Sequence, residues 1–167
     1  METKQELKEI INELKDKLKE AQVKLEKLSK YERFKPEENE EYFYLNSDNS
    51  IGGTNFDNSF AFDVKRYRAF NCFKTPEEAQ KEADKILIRR KLEDIARRLN
   101  GNEKIDWNNL NQPKYHIVYN SEEKCLTNMI NYEYVHENSI YCLNINFLNE
   151  AIKEIGEKEL VSYITND

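Results

Sequence analysis

Residues 71–101 read NCFKTPEEAQKEADKILIRRKLEDIARRLNG and contain the clearest helix start and stop signals of the chain. Thr75 is a favourable N-cap residue, and Pro76 follows it at the first helical position, where the missing N–H would be unpaired anyway. Gly101 is a typical residue just beyond a helix C-terminus. The stretch therefore predicts a long central helix over residues 75–100.

The apolar residues of this predicted helix change sides along its length. At about 100° per residue, Ala79, Ala83 and Ile86 share one face. The later apolar residues, which share the roughly opposite face, are Ile88, Leu92, Ile95 and Leu99. We expect the buried face to switch near Leu87, so that each half of the helix covers a different packing unit. A kink near Ile88 is the alternative.

The composition is more charged than that of an average globular domain. Hydrophobic residues make up 38% and charged residues 35%, which suits a long solvated helix attached to a modest core. Three cysteines at no familiar spacing are expected to be reduced thiols rather than a disulfide framework. No apolar run approaches the roughly 18 residues that a membrane span requires, so we expect a cytoplasmic protein without membrane contact.

The formal net charge of −6 is distributed unevenly along the chain. Residues 36–63 contain acidic residues but no Lys or Arg, and residues 105–167 also carry more acidic than basic residues. Basic residues outnumber acidic ones in residues 1–35 and 64–104. Any acidic surface would therefore be built from two separate segments that flank a basic middle.

A heptad repeat of apolar residues runs through the N-terminal segment. Its members, separated by alternating steps of four and three, are Leu7, Ile11, Leu14, Leu18, Ala21, Leu25 and Leu28. This spacing is typical of a coiled coil and predicts a long helix within residues 1–35. No like charges face each other across a parallel homodimer, which we therefore favour. Packing on the chain's own domain or on a partner helix are the alternatives.

Pro36 marks the first boundary, because proline cannot continue a helix and disfavours helical geometry in the residue before it. A short aromatic strand is expected at residues 42–45, followed by a long polar loop at residues 46–59. At residues 60–64 apolar positions alternate with others, which predicts a second strand with one buried face. This strand leads into the central helix.

The second half of the chain repeats this order of elements. Strands are expected at residues 115–119, 126–135 and 139–143, and a helix is expected from Phe147, with an interruption at Gly156. We therefore predict an α+β protein with a long N-terminal coiled-coil helix, followed by a duplicated antiparallel ββ(β)α unit joined by a long central helix. The predicted parts are residues 1–35, 36–104 and 105–167. Two unrelated α+β segments are the alternative to duplication.

The motifs of common enzymes are missing from the sequence. There is no Gly-x-Ser-x-Gly, no P-loop, no dinucleotide fingerprint and no His-Glu-x-x-His. Two histidines and two cysteines of the second half have the chemistry of a tetrahedral zinc set, but their spacing matches no common finger; they are His116, Cys125, His136 and Cys142. We predict a protein that is not an enzyme and that holds no metal or cofactor.

Two sets of charged residues are candidates for binding a partner. The acidic set, which could resemble a phosphate backbone and occupy a basic channel, comprises Glu37, Glu38, Glu40, Glu41, Asp48, Asp57, Glu122 and Glu123. The basic set, which could contact nucleic acid from the central helix, comprises Arg89, Arg90, Arg97 and Arg98. For each set the alternative is a solvated face without a ligand.

Four stretches carry a resemblance to a known group of proteins: YFYL at residues 42–45, FKTPEEAQKEAD at 73–84, KYHIVYN at 114–120 and NEAIKEIGEKELVSYI at 149–164. Together they resemble a diffuse group of small accessory proteins of phages and prophages of Gram-positive bacteria. The resemblance implies a phage origin and a place in the cytoplasm of the host cell. It carries over no catalytic residues. Some small proteins of such loci inhibit host defences, including CRISPR nucleases.

Two functions follow as expectations. The first is a non-enzymatic inhibitor, dimeric through the coiled coil, whose acidic α+β surface binds a host defence protein, with a CRISPR-Cas effector as one candidate. The second is a phage structural or nucleic-acid-associated accessory protein that uses the basic central helix. They differ in which charged surface meets the partner.

Overall fold

The computed structural model describes residues 11–15, 17–20 and 33–165 of the chain. This part is an α+β protein with five helices and two small antiparallel sheets of two strands each. Helix α1 comprises residues 11–15 and 17–20. The other elements, in chain order, are β1 (Glu41–Leu45), β2 (Ile51–Asn55), α2 (Ala61–Arg68), α3 (Pro76–Asn100), β3 (Lys114–Asn120), β4 (Cys125–Asn131), α4 (Phe147–Ile155) and α5 (Glu157–Thr165). None of the helices in the described ranges is long and apolar enough to cross a membrane.

The fold prediction was wrong about a long N-terminal coiled-coil helix. Before residue 33 the described helix is limited to α1, and the longest described helix is the central α3, with 25 residues. The predicted coiled-coil residues on α1 are exposed by 49–60%; they are Ile11, Leu14 and Leu18. The others, Leu7, Ala21, Leu25 and Leu28, lie outside the described residues. A heptad repeat stabilises a helix only where another surface covers it, and the three described side chains are not covered.

Strands β1 and β2 form a hairpin in which glycines make room for aromatic rings. Tyr44 pairs with Gly52, and Phe43 pairs with Gly53. A Cβ atom on Gly52 would lie 2.5–2.7 Å from atoms of the Tyr44 ring, so a larger residue at this position would require the ring to move. The loop predicted over residues 46–59 was therefore wrong in part, because rings from β1 supply the packing that the glycines of β2 lack.

Helix α2 replaces the strand predicted at residues 60–64. Alternation suggested that Phe60 and Phe62 lie on a buried face, but both rings are exposed. The side chain that α2 buries is Asp63, which accepts a hydrogen bond from the Tyr42 hydroxyl at 2.7 Å. Because this partner lies 21 residues earlier in the chain, the local pattern could not reveal it.

Helix α3 begins and ends where the sequence predicts. The Thr75 hydroxyl accepts a hydrogen bond from the Glu78 N–H at 3.2 Å, and the Glu78 carboxylate accepts one from the Lys74 N–H at 2.9 Å. Pro76 lies in the first turn, and Gly101 follows the helix with a φ of 56°. These contacts satisfy N–H groups that the first turn of a helix leaves unpaired.

The buried face of α3 switches along its length, as the sequence predicts. In the first half Ala79 and Ala83 are buried, and the helix contacts β1 and β2. The side-chain amide of Asn49, in the β1–β2 turn, donates to the Ala83 carbonyl oxygen at 2.8 Å. In the second half Leu92 and Ile95 are buried in a core shared with α4 and α5. One helix therefore supports two packing units.

Strands β3 and β4 form the longer hairpin. The core of this half consists of Leu92, Ile95, Ala96, Leu126, Cys142, Phe147, Ala151 and Leu160. Cys142 joins the sheet through an isolated bridge to Tyr115, with N–O distances of 2.7 and 2.8 Å. The strand predicted at residues 139–143 was wrong, because the pairing is limited to this bridge. Gly156, with a φ of 105°, separates α4 from α5 and confirms the predicted interruption.

Both hairpins are extended by one bridging residue that precedes a helix. Phe73 pairs with Phe43 of β1 ahead of α3, and Cys142 pairs with Tyr115 of β3 ahead of α4. The hairpins differ in length, with five residues in each strand of the first and seven in each strand of the second. The observed architecture is thus two short hairpins on a shared helix, in place of the predicted ββ(β)α units behind a coiled coil.

Candidate protein-binding surfaces

The predicted acidic residues nearest to β1 lie together at one end of the first hairpin. We name this surface the acidic end; its residues are Glu37, Glu38, Glu40 and Glu41. The Glu40 N–H donates to the Glu37 carbonyl oxygen at 3.0 Å, and Asn39 between them has a left-handed φ of 65°. The Asn39 N–H also donates to the Phe56 carbonyl oxygen at 2.8 Å. The turn is therefore fixed to the residue that follows β2.

Among the described residues, two carboxylates of the acidic end accept hydrogen bonds and the other two have no ion-pair partner. Glu38 Oε2 accepts hydrogen bonds from the backbone N–H of Asn58, at 3.0 Å, and from its side-chain amide. Glu40 Oε2 accepts one from the Glu37 N–H at 2.7 Å. The side chains of Glu37 and Glu41 are exposed and form no ion pair with any described residue. These two carboxylates are available to a partner.

Lysines border the acidic end on one side. Lys35 and Lys74 line the same shallow depression as Glu37, Glu38 and Glu40. The excess of negative charge in the depression is therefore small. A partner that meets this surface needs positive groups opposite the glutamates and room for the two lysines at the border.

Asp48 and Asp57 form turns. Asp48 Oδ1 accepts hydrogen bonds from the Ser50 N–H and hydroxyl at 3.0 and 2.6 Å, and Asp57 Oδ1 accepts the equivalent pair from Ser59 at 2.7 and 2.6 Å. These bonds hold the pKa of both carboxyl groups below its usual range, because they stabilise the ionised form. Asp48 lies at the β1–β2 turn, roughly 17 Å along the strands from the acidic end.

Glu122 and Glu123 lie in the other half, on the turn between β3 and β4. Asn120 Oδ1 accepts hydrogen bonds from their backbone N–H groups at 3.0 and 3.2 Å, and both side chains are exposed. The eight predicted acidic residues thus occupy separate turns. The structure brings four of them together at the acidic end and does not gather the whole set into one site.

The basic residues of α3 are largely paired with acidic neighbours. Their ion pairs, by nitrogen–oxygen distance, are Arg89–Glu93 at 3.0 Å, Arg97–Asp94 at 3.8 Å, Arg98–Asp94 at 3.1 Å and Arg98–Glu154 at 2.6 Å. Arg90 is exposed and forms no ion pair within the described ranges. Paired carboxylates compete with phosphate groups for arginine, so the predicted nucleic-acid surface is partly neutralised.

A buried polar cluster holds α2 against the first hairpin. Asp63 accepts hydrogen bonds from the Tyr42 hydroxyl at 2.7 Å and from the Asp57 N–H at 3.0 Å. Arg66 donates to the same carboxylate at 3.1 Å, and its guanidinium carbon lies 3.5 Å from the centre of the Tyr44 ring. Burial raises the pKa of Tyr42 to about 12. Both oxygens of Asp63 are bonded, so the cluster is a structural support for the acidic end.

The second half buries a lysine instead. Lys114 is fully buried, and its Nζ donates to the carbonyl oxygens of Asn109, Gln112 and Tyr132 at 3.0, 2.9 and 3.3 Å. The Nζ atom also lies 5.3 Å from the centre of the Trp107 ring, within the range of a cation–π contact. The lysine therefore ties the loop before β3 to the segment after β4.

His116 lies beside this lysine in a cluster of rings. It is 3% exposed, and its ring centre lies 5.3 Å from that of His136 and 5.0 Å from that of Tyr141. Its Nδ1 atom has no hydrogen-bond partner among the described residues. Burial, with a smaller contribution from the charge of His136, lowers the pKa of His116. The cluster favours a neutral histidine.

The zinc alternative finds no support in the positions of the cysteines. The Sγ atom of Cys142 bonds to Asn100 Oδ1 at 3.2 Å, and that of Cys125 lies 3.7 Å from Glu123 Oε2. No group of three or more His, Cys, Asp or Glu suited to a metal ion occurs in the described part of the chain. Burial raises the pKa of Cys72 to about 11, which leaves little reactive thiolate at neutral pH.

One exposed apolar surface was missed by the sequence reasoning. β4 pairs only with β3 among the described strands, so its other edge has unpaired backbone groups. The exposed apolar residues of this strand and of the segment after it, here named the edge strip, are Met129, Ile130, Tyr132, Tyr134 and Val135. The strand predicted over residues 126–135 was too long, because pairing ends at Asn131. The signal in the sequence was the uncharged run CLTNMINY at residues 125–132.

Comparison with known proteins found no match: no family model, no curated protein and no solved structure corresponds to this chain. Function is therefore inferred from the chain's own surfaces and buried groups.

Proposed function

We propose that this chain is a non-enzymatic, phage-encoded inhibitor that binds a host defence protein through the acidic end of its first hairpin. The observation that carries the proposal is the pair of exposed carboxylates at Glu37 and Glu41, which form no ion pair within the described ranges. They lie within residues 36–63, which contain no Lys or Arg. Exposed charge of one sign attracts and orients a partner of the opposite sign. The phage origin and the class of partner come from the sequence resemblance.

A CRISPR-Cas effector is a candidate partner, because such nucleases hold nucleic acid in a positively charged channel. A protein that presents carboxylates on a fixed turn could occupy part of that channel. The acidic end meets this requirement in two ways. Its turn is bonded to Phe56, and the hairpin behind it is held by the buried contact between Tyr42 and Asp63. We prefer this function to a nucleic-acid-associated one, since three of the four candidate arginines are ion-paired.

The test compares two double charge reversals. Glu37→Lys with Glu41→Lys changes the two unpaired carboxylates of the acidic end, and Glu122→Lys with Glu123→Lys makes the same change of net charge on the β3–β4 turn. Each chain is expressed in a host with an active CRISPR system, and phage restriction is measured by plating. We expect the original chain and the second variant to relieve restriction, and the first variant to lose roughly tenfold or more of that effect.

Two results would contradict the proposal. The first is a chain that leaves restriction unchanged and does not co-purify with any component of the defence system. The second is equal loss of effect in both variants, which would mean that net charge matters and the acidic end does not. Thermal unfolding of both variants checks that each still folds.

A further inference from the structure

We infer that the free edge of β4 binds an extended segment of a partner protein, with basic residues at both ends of that segment and uncharged residues between them. The surface lies in the second half of the molecule. The inference is separate from the proposed function, since it uses neither the acidic end nor a defence protein.

The first observation is the length and composition of the edge. β4 has seven residues, Cys125–Asn131, which form an edge of roughly 24 Å. It contains no charged residue and no proline, the features by which proteins normally prevent pairing at an exposed edge. The edge strand of the first hairpin, β2, is shorter and has two consecutive glycines. Addition of a strand is therefore favoured at β4.

The second observation is that the backbone next to this edge is held by hydrogen bonds. The Tyr134 N–H donates to Asn131 Oδ1 at 3.3 Å, and the His136 N–H donates to the Tyr141 hydroxyl oxygen at 2.8 Å. These bonds fix the backbone, while the side chain of Tyr134 is 69% exposed and that of Val135 is 64% exposed. Binding of a partner here therefore requires little further ordering of this chain's backbone.

The third observation is the charge at the two ends of the edge. Glu122 and Glu123 precede β4, followed by Lys124, and Glu133 and Glu137 come after it. All four glutamates are exposed, and none forms an ion pair with a described residue. Glu122 and Glu123 at one end of the edge and Glu133 at the other thus present exposed carboxylates, and the strand between them is uncharged. Glu137 lines a pocket with Lys85 and Arg89 of α3 and does not belong to the edge, and the nearby Lys114 is fully buried.

The glutamates at the ends of β4 favour a different partner over a second copy of the chain. If two copies paired through β4 in antiparallel fashion, Glu122 and Glu123 of one copy would face Glu133 of the other. If the two strands paired in parallel, Glu122 and Glu123 of one copy would face the same two residues of the other, and Glu133 would face Glu133. Both arrangements bring like charges together, which is unfavourable. A segment with Lys or Arg roughly eight positions apart complements both ends.

The experiment uses the full chain and two synthetic peptides of nine residues. Both have a centre of alternating Thr and Val; one has Arg at each end, and the control has Glu at each end. Binding is followed by amide chemical shifts in NMR spectra. We expect the Arg peptide to shift the resonances of Cys125–Asn131 and to bind roughly tenfold or more tightly than the Glu peptide. The preference should weaken as salt is added.

Variants identify the surface. Glu133→Arg should reduce the preference between the peptides, and Ile130→Lys, which places a charge on the edge strip, should weaken binding of the Arg peptide. The control is Phe62→Lys, an exposed apolar residue in the other half, and this variant should bind the peptide as the original chain does. The inference is overturned if neither peptide shifts β4, or if both bind equally. It is also overturned if light scattering shows a dimer that Ile130→Lys dissociates, because the occupant is then a second copy.

Discussion

In the first half of the molecule α3 contributes Ala79 and Ala83 to the packing, and the most deeply buried polar group, Asp63, has both oxygens bonded. In the second half the same helix contributes Leu92 and Ile95 to an apolar core. Short strands enclose little apolar surface, so the first half relies on directional polar contacts. The second half relies on buried apolar area. The two halves should therefore respond to different perturbations.

The largest effect is expected from Phe147→Ala. Phe147 is 1% exposed in the core of the second half, and removal of such a ring costs about 3–5 kcal/mol of unfolding free energy. Chemical denaturation followed by circular dichroism measures it. The control is Phe62→Ala, an exposed ring whose loss should cost less than about 0.5 kcal/mol. Equal costs would mean that the apolar core is not the main support of the second half.

Asp63→Ala should cost somewhat less, about 2–3 kcal/mol, since it leaves the Tyr42 hydroxyl and the Asp57 N–H without a buried partner. The contribution of Arg66 is smaller, because its side chain is partly exposed and solvent screens the charge. The same denaturation experiment applies, with exposed Asp84→Ala as the control. A change below about 1 kcal/mol would show that the polar cluster does not hold the first half.

The first half should also lose stability at high pH. The pKa of Tyr42 is raised from 10.0 to about 12, so the folded chain keeps this proton more tightly than the unfolded chain. The stabilisation is complete below pH 10 and is lost as the pH rises toward 12, by up to about 3 kcal/mol. Tyr42→Phe should remove this pH dependence, whereas Tyr134→Phe, at an exposed position, should keep it. Identical profiles for both variants would refute the assignment.

The second half should lose stability at low pH. The pKa of His116 lies below its ordinary value of 6.5, so the unfolded chain takes up a proton before the folded chain does. The stabilisation is present above pH 6.5 and is lost as the pH falls through the lower folded value. Substitution of His116→Phe should flatten this acid dependence. His136→Gln should leave most of it, because burial is the larger cause. An unchanged profile for His116→Phe would contradict this.

The smallest effect on stability is expected at an exposed ion pair between α3 and α4. Arg98 links α3 to α4 through Glu154, but both side chains are substantially exposed. Arg98→Ala should therefore lower the stability less than any substitution above other than the controls, and the loss should shrink further at high salt. Arg90→Ala, without an ion pair among the described residues, is the control and should be close to neutral. A larger, salt-independent loss for Arg98→Ala would mean that the pair is buried in solution.

The parts of the fold that the sequence predicted correctly depend on neighbours in the chain. Both ends of α3 follow from residues within a few positions of Thr75 and Gly101, and the switch of its buried face follows from helical spacing. The errors at α2 and β2 have the opposite origin. Asp63 is buried because Tyr42 lies opposite it, and the glycines of β2 form a strand because rings of β1 cover them. Such partners are not visible in a local pattern.

The candidate surfaces were predicted only in part. The sequence identified the glutamates of the acidic end. It did not show that Glu38 and Glu40 are hydrogen-bonded within the chain, whereas Glu37 and Glu41 form no ion pair in the part of the chain that the structure describes. It could not identify the edge strip, because an apolar strand is exposed only if it lies at the edge of its sheet. Strand order is a property of the whole fold, and the alternation in residues 126–135 was compatible with a central strand as well.

Because one helix, α3, supports both hairpins, their relative orientation depends on how far α3 turns between its two halves. One residue inserted near Leu87 would rotate everything after it by about 100°, and one of the two units would then lose its place on α3. Seven inserted residues would restore the phase to within about 20° and move the hairpins about 10 Å further apart. The distance between the acidic end and the edge strip could therefore be lengthened in steps of seven residues, with each surface left intact.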